Sequence, residues 1–191
     1  MQHYEKRQWQ IREYPFRPYA LPHTETIYTI GNGLVGVRGS FEEGYPDDNP
    51  ATLVAGIFNH KEGELVPDLV SMPNWLTLRI QVNDEVFRLD RGKILGYERI
   101  LDLRTGTHWR GVLWLSPKRD ILRLAFERFA SLDNPHILAI RVLVQVLNEG
   151  EHHIKVYSAL DNTVTNPDNI DHWGEVTLSA DGDKLFFTGQ T

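Results

Sequence analysis

The sequence predicts an all-β, antiparallel fold, a two-sheet sandwich, and three observations predict it. Apolar and polar residues alternate with period two, the pattern of half-buried strands. Leu76, Leu78, Ile80 and Val82 take one face of a segment whose other face carries Thr77, Arg79 and Gln81. Turn signals recur at roughly the 8–12-residue spacing of sandwiches and barrels. No segment reads as a convincing amphipathic helix.

Residues 1–22 hold Trp9, Tyr14, Phe16 and Tyr19 among Pro15, Pro18 and Pro22, which reads as an irregular aromatic lead-in rather than a helix. Residues 27–30 and 34–37 are β-prone and flank Asn32-Gly33. Both members of that pair tolerate positive φ, so a hairpin with a two-residue type I′ turn is expected. The same stretch contains Gly31, Gly33 and Gly36 at dinucleotide-fingerprint spacing. That fingerprint needs a helix next, and Val37-Arg38-Gly39-Ser40-Phe41, with Pro46 and Pro50 close behind, does not start one. Residues 42–50 read as a loop, 52–58 as a strand and 59–73 as a second connection. Strands follow at 75–82 and 85–90 around Asn83-Asp84, then at 97–104, 107–115, 120–129 and 137–147. In the last, Leu138, Ile140, Val142, Val144 and Val146 share one face, and Ile137, Ala139 and Leu143 make the other partly apolar. This predicts a central strand covered on both sides. Residues 154–160 form another strand and 161–172 a polar loop that includes Asp168, Asn169 and Asp171. A final hairpin, 173–179 with 184–188, turns at Asp181-Gly182-Asp183.

A chain of 191 residues with a hydrophobic fraction of 41% can build one cored domain. A formal net charge of −6, with no basic cluster longer than Lys118-Arg119, argues against a nucleic-acid partner. No apolar run approaches the ~18 residues of a membrane span, and Met1–Arg7 lacks the apolar centre of a signal peptide. There are no cysteines to form disulfides, and the expected location is cytoplasmic. The chain stops at Gln190-Thr191 without a tail, so the sandwich is expected to be incomplete at its C-terminus.

Eight histidines are scattered, and the adjacent His152 and His153 would point to opposite faces of a strand; neither a metal nor a cofactor is expected. Glu42-Glu43 is the closest carboxylate pair. Glycosidic cleavage uses two carboxyls about 5–9.5 Å apart across a sugar, whereas adjacent loop carboxylates read more simply as solvated. No Gly-x-Ser-x-Gly elbow is present. Asn74-Trp75, and the run Asp161, Asn166, His172 and Trp173, combine amide, carboxylate and indole groups. Such groups hydrogen-bond hydroxyls and stack on sugar faces, although the tryptophans would serve equally in packing. Trp109 and Trp114 are five apart on one strand, so one faces the core and the other the outer surface.

Several motifs together carry a resemblance. They are Gly31-Asn32-Gly33, Gly36-x-Arg38-Gly39-Ser40-Phe41-Glu42-Glu43-Gly44, Met72-Pro73-Asn74-Trp75, Leu101-Asp102-Leu103-Arg104-Thr105-Gly106, Arg128-Phe129-x-Ser131-Leu132, Asp161-Asn162-x-Val164-x-Asn166 and His172-Trp173. The chain resembles the start of glycoside hydrolase family 65, which includes maltose, trehalose and kojibiose phosphorylases and related α-glucosidases. The resemblance implies that 1–191 is most of an N-terminal β-supersandwich of the galactose mutarotase-like type. It implies that a catalytic (α/α)6 barrel, absent from these residues, carries the general acid and the phosphate site; no catalytic residue is therefore assigned here. The parent reaction would invert an α-glucoside, with inorganic phosphate or water attacking. The implied partners are the chain's own C-terminal catalytic domain, an α-linked glucose disaccharide and a second copy in a homodimer. Contacts with sugar or with the barrel are expected from Glu42, Glu43, Asn74, Trp75, Asp161, Asn166, His172 and Trp173. The alternative is a free-standing carbohydrate-binding or assembly sandwich.

Overall fold

A computed structural model describes residues 8–59, 65–166 and 172–191; Asp168, Asn169 and Asp171 lie outside them. Every strand pairing is antiparallel. The strands are β1 (Gln10–Glu13), β2 (Ile30–Gly31), β3 (Val35–Val37), β4 (Thr52–Asn59), β5 (Asp68–Ser71), β6 (Leu78–Val82) and β7 (Glu85–Val86). They continue with β8 (Lys93–Asp102), β9 (Thr107–Leu115), β10 (Ile121–Ala130), β11 (Leu138–Val146), β12 (Ile154–Ser158), β13 (Val176–Asp181) and β14 (Lys184–Gly189). One layer is the five-stranded sheet β1-β8-β9-β10-β11. Against its inner face lie two smaller sheets, β12-β6-β7 and β2-β3-β4-β5, and β13 pairs only with β14.

Period-two burial builds the interface between layers. Val112 and Trp114 of β9 and Leu122, Leu124 and Phe126 of β10 meet Ile80, Val82, Phe87 and Leu89 in one core cluster. Tyr28, Ile30, Val35, Val37, Leu76 and Leu101 form a second. Trp114 is fully buried, with its Nε1 donating to the Arg91 carbonyl at 2.6 Å. Trp109 is on the opposite, outer face, as its spacing predicts.

The structure departs from the sequence reading in several places, among them β5 (Asp68–Ser71) inside the expected 59–73 connection and a return strand of only Glu85–Val86 where 85–90 is expected. Leu21–Ile27 is a two-turn helix, α1, preceded by a 3-10 turn at Pro18–Ala20, where a lead-in and the start of a strand are expected. Pro22 sits in the first turn, where no intrahelical N–H is needed, and two turns are too short for periodicity to register. The first hairpin forms, but its two-residue loop is Gly33-Leu34 rather than Asn32-Gly33. The Asn32 N–H donates to the Val35 carbonyl at 3.1 Å, and only Gly33 takes positive φ, +90°. Asn32 instead spends its side chain: Oδ1 accepts from the N–H of Leu34 and Val35, and Nδ2 donates to the carbonyls of Ser131 and Pro135. Finally, β11 is an edge strand of the five-stranded sheet, not a central one. Its outer-face Leu143 is 52% exposed.

Candidate functional site

The inner face of the five-stranded sheet carries three arginines in phase with its apolar residues. Arg99 on β8, Arg110 on β9 and Arg128 on β10 are each fully buried. Arg99 and Arg110 are direct cross-strand partners, an arrangement that would repel without counter-ions. The counter-ions come from other elements. Glu13 of β1 accepts from Arg99 Nε at 2.9 Å and from the Tyr97 hydroxyl at 3.0 Å. Glu42 bridges two guanidinium groups, accepting from Arg110 Nη2 at 2.6 Å and from Arg128 Nη1 at 3.1 Å. Glu43 takes both ends of the Arg110 fork, 2.7 Å at Nη1 and a still closer contact at Nη2. Flat aromatic faces complete the cradle: the Arg110 guanidinium lies 4.2 Å from the Phe126 ring centre and 4.4 Å from that of Phe41. Arg99 lies 4.2 Å from the ring centre of Tyr28. These contacts suit a weakly hydrated planar cation.

Glu42 and Glu43 are therefore not a solvated pair. Their side chains are 0% and 1% exposed, and they neutralise the sheet's inner face. Burial opposes the charge on Arg110, but Glu43 and Glu42 outweigh it and hold this guanidinium above its usual range. Burial pushes Arg128 down to about 10, against the pull of Glu42, so it remains charged at neutral pH. Burial, with Arg128 and Arg99 nearby, holds His108 well below the usual histidine range, and neither of its ring nitrogens has a partner among the described residues.

Above this cluster opens a polar cavity of about 460 Å³. Glu42, Glu43, Asn74 and Asp161 all border it, joined by Asp48, Thr77, Arg79, Arg88 and Arg91. A backbone bridge joins two of the loops: the Asn74 N–H donates to the Asp161 carbonyl at 2.8 Å, and the return bond is 3.0 Å. Burial raises the Asp48 carboxyl above its usual range, against the N–H of Tyr45 and the charge of Arg88; Asp161 adds to the rise. Asp48, Pro50 and Asp161 also border an adjoining cavity that Asn166 lines. Asn166 itself is a loop clamp, accepting from the Ser71 N–H at 2.9 Å and donating to the Leu69 carbonyl at 2.9 Å.

Three expected residues lie elsewhere. Trp75 packs on the second core cluster. His172 is 5% exposed, and its carbonyl accepts from Asn59 Nδ2 at 3.0 Å. Trp173 donates from Nε1 to the Ser71 carbonyl at 3.0 Å and meets Phe187 edge-on at 4.9 Å. Sequence reasoning missed the arginine cluster and the part of Asp48. The arginines had a signal, since each sits two residues from an inward apolar residue on its own strand. Among the described residues, no group of His, Asp or Glu could hold a metal ion, and no helix is long and apolar enough to cross a membrane.

Comparison with known proteins assigns this architecture. The chain is 35% identical over 190 residues to a kojibiose phosphorylase of Halothermothrix orenii, covering 98% of this chain and 24% of that one. It is 34% identical over 173 residues to an α,α-trehalose phosphorylase of Thermoanaerobacter brockii, covering 83% of this chain and 22% of that one. A solved structure described as a putative kojibiose phosphorylase from human microbiome superposes with a TM-score of 0.82 at 22% identity, over 93% of this chain and 25% of that one, which establishes a shared fold. The chain thus spans about a quarter of the length of the relatives it matches. The family model for the N-terminal domain of glycosyl hydrolase family 65 matches residues 11–191, and the chain belongs to that family.

Proposed function

We propose that this chain is the non-catalytic N-terminal domain of an α-glucoside phosphorylase. In this reading it scaffolds a catalytic domain and turns its polar cavity toward that domain's substrate entrance. The observation that carries the reading is the meeting of three separate loops, at Glu43–Asp48, Asn74–Thr77 and Asp161–Asn166, around two adjoining cavities above a neutralised arginine cluster. Similarity to kojibiose and trehalose phosphorylases supports the reaction class. The domain's part is to hold loops in place; it supplies no acid or nucleophile. Glu42 and Glu43, engaged with arginines, have no free carboxylate to give a sugar. Asp48, Asn74 and Asp161 are the residues that would border the substrate or the partner domain, while Trp75, Asn166, His172 and Trp173 would fix the loops.

The test uses an enzyme that contains this chain, incubated with kojibiose, trehalose or maltose. Inversion at an α-glucoside predicts β-glucose 1-phosphate, formed only when inorganic phosphate is present. Replacing Asp48 or Asn74 by alanine should raise KM or weaken domain association about three- to tenfold. Phosphate-independent release of glucose, or no activity on any α-glucoside, would overturn the reaction class. Unchanged kinetics and assembly in both variants would overturn the part given to the cavity.

A further inference from the structure

The outer face of the five-stranded sheet carries a second concavity, a largely apolar groove of about 550 Å³ that shares no residue with the polar cavity. Its floor is built from small residues. Gly111 of β9 pairs with Ala125 of β10 and with Glu98 of β8. Trp109 lies on the same face two residues before Gly111, and its benzo ring fills the place of the missing side chain. A Cβ built on Gly111 would stand 2.3 Å from Trp109 Cη2 and 2.9 Å from Cζ2. The indole therefore rests on the sheet backbone, fixed by the glycine beneath it, and borders the groove. Tyr14, 71% exposed, is a further wall.

Charged groups flank this aromatic surface on both sides. Glu98 on β8 and Arg123 on β10 are separated by β9 and by two residues of register, so their backbones stand about 12 Å apart, on a diagonal across the groove. Glu98 meets Arg12 through Oε1, and Arg123 donates from Nη1 to Gln145 Oε1 at 3.3 Å. Among the described residues, the other carboxylate oxygen and the remaining guanidinium N–H groups make no further hydrogen bond. A fixed flat ring with a carboxylate on one side and a guanidinium on the other complements a molecule with an apolar face and a hydroxylated edge. A gluco-configured pyranose has that form, because its ring hydroxyls are equatorial and its C–H bonds line the faces.

We infer that this groove is a second carbohydrate site, one that binds a gluco-configured oligosaccharide by stacking on Trp109 with hydroxyl contacts to Glu98 and Arg123. It stands whether or not the polar cavity borders a catalytic centre.

Calorimetric titration of the 191-residue chain with maltohexaose tests it, with a galacto-configured oligosaccharide as the second ligand. Binding of the first and at least fivefold weaker binding of the second are expected, because the axial 4-hydroxyl interrupts one face and leaves the equatorial hydroxyl edge that Glu98 and Arg123 would contact. Trp109→Ala should weaken binding about tenfold or more. Trp109→Phe, which keeps a flat ring, should recover part of it. Gly111→Val, which displaces the indole, should weaken binding as Trp109→Ala does. Thermal melts of each variant separate lost binding from lost folding. Absence of maltohexaose binding by the folded wild-type chain would overturn the inference, as would full binding by Trp109→Ala. So would a shift from dimer to monomer on sedimentation of that variant with no sugar bound by either, which would make the groove an interface between copies. Phosphorolysis by the longer enzyme depends on none of these titrations, so failure here leaves the reaction class standing.

Discussion

Replacing Glu42 by glutamine should be among the most damaging isosteric changes available in this chain. Glu42 is the one carboxylate that touches two buried guanidinium groups, Arg110 at 2.6 Å and Arg128 at 3.1 Å, and all three side chains are 0% exposed. The cluster balances three arginines (99, 110 and 128) against three glutamates (13, 42 and 43). Glutamine leaves it one charge out of balance and turns an amide N–H₂ toward a guanidinium that needs an acceptor. Breaking a buried pair from one side costs about 3–5 kcal/mol. With a urea slope of about 2 kcal/mol per molar, the midpoint should fall by about 1.5–2.5 M. Equilibrium unfolding followed by tryptophan fluorescence measures this directly, since Trp114 is in the adjoining core. A second variant localises the cause: adding Arg128→Met to Glu42→Gln removes one stranded cation and should restore at least about 1 kcal/mol relative to additivity. A midpoint within about 0.5 M of wild type for Glu42→Gln would refute the view that this carboxylate neutralises the sheet face.

Two further outcomes follow from the same geometry. His108 is buried neutral, with its pKa held well below the ordinary 6.5 by burial and by Arg128 and Arg99. The unfolded chain therefore takes up a proton first as pH falls, and stability present above about pH 6.5 is lost below it. Roughly 1 kcal/mol should go between pH 7.0 and 5.5, and the same urea titrations on His108→Phe should show that part of the slope abolished; an unchanged slope would contradict it. Asn32→Ala removes four side-chain hydrogen bonds, two within the first hairpin and two that join it to the Ser131 and Pro135 carbonyls. It should cost about 2–4 kcal/mol and lower Tm by roughly 5–12 °C in a calorimetric scan, and a shift under about 2 °C would count against the clamp.

Much of the sandwich was legible because its strands obey one rule. In β6 and β9, from Tyr97 to Leu101 of β8 and from Leu122 to Arg128 of β10, every second residue is buried, and period two survives even where the inward residue is charged. Charge identity is what misled the reading. Arg99, Arg110 and Arg128 sit in the inward phase of their strands, a signal that residue type obscures, and Glu42 comes from a loop with no phase to read; only tertiary pairing reveals what neutralises them. α1 was illegible for a different reason, since two turns that begin at a proline leave no period to detect. The Asn32 turn was misplaced because Asn-Gly propensity is local, while the acceptors that claim the asparagine amide lie about a hundred residues further on. The cavity was half legible. Four of the eight named residues converge there, whereas the tryptophans, chosen for ring chemistry, belong to packing.

The arginine cluster also constrains how the chain can be made. Glu13 waits for Arg99, Glu42 for Arg110 and then Arg128, and β1 for β8. A chain leaving the ribosome N-terminus first thus carries unmatched acids for most of its first hundred residues, and then meets arginines that are tolerable inside only because those acids are already there. The ion pairs of this layer join residues far apart in sequence, which favours slow folding.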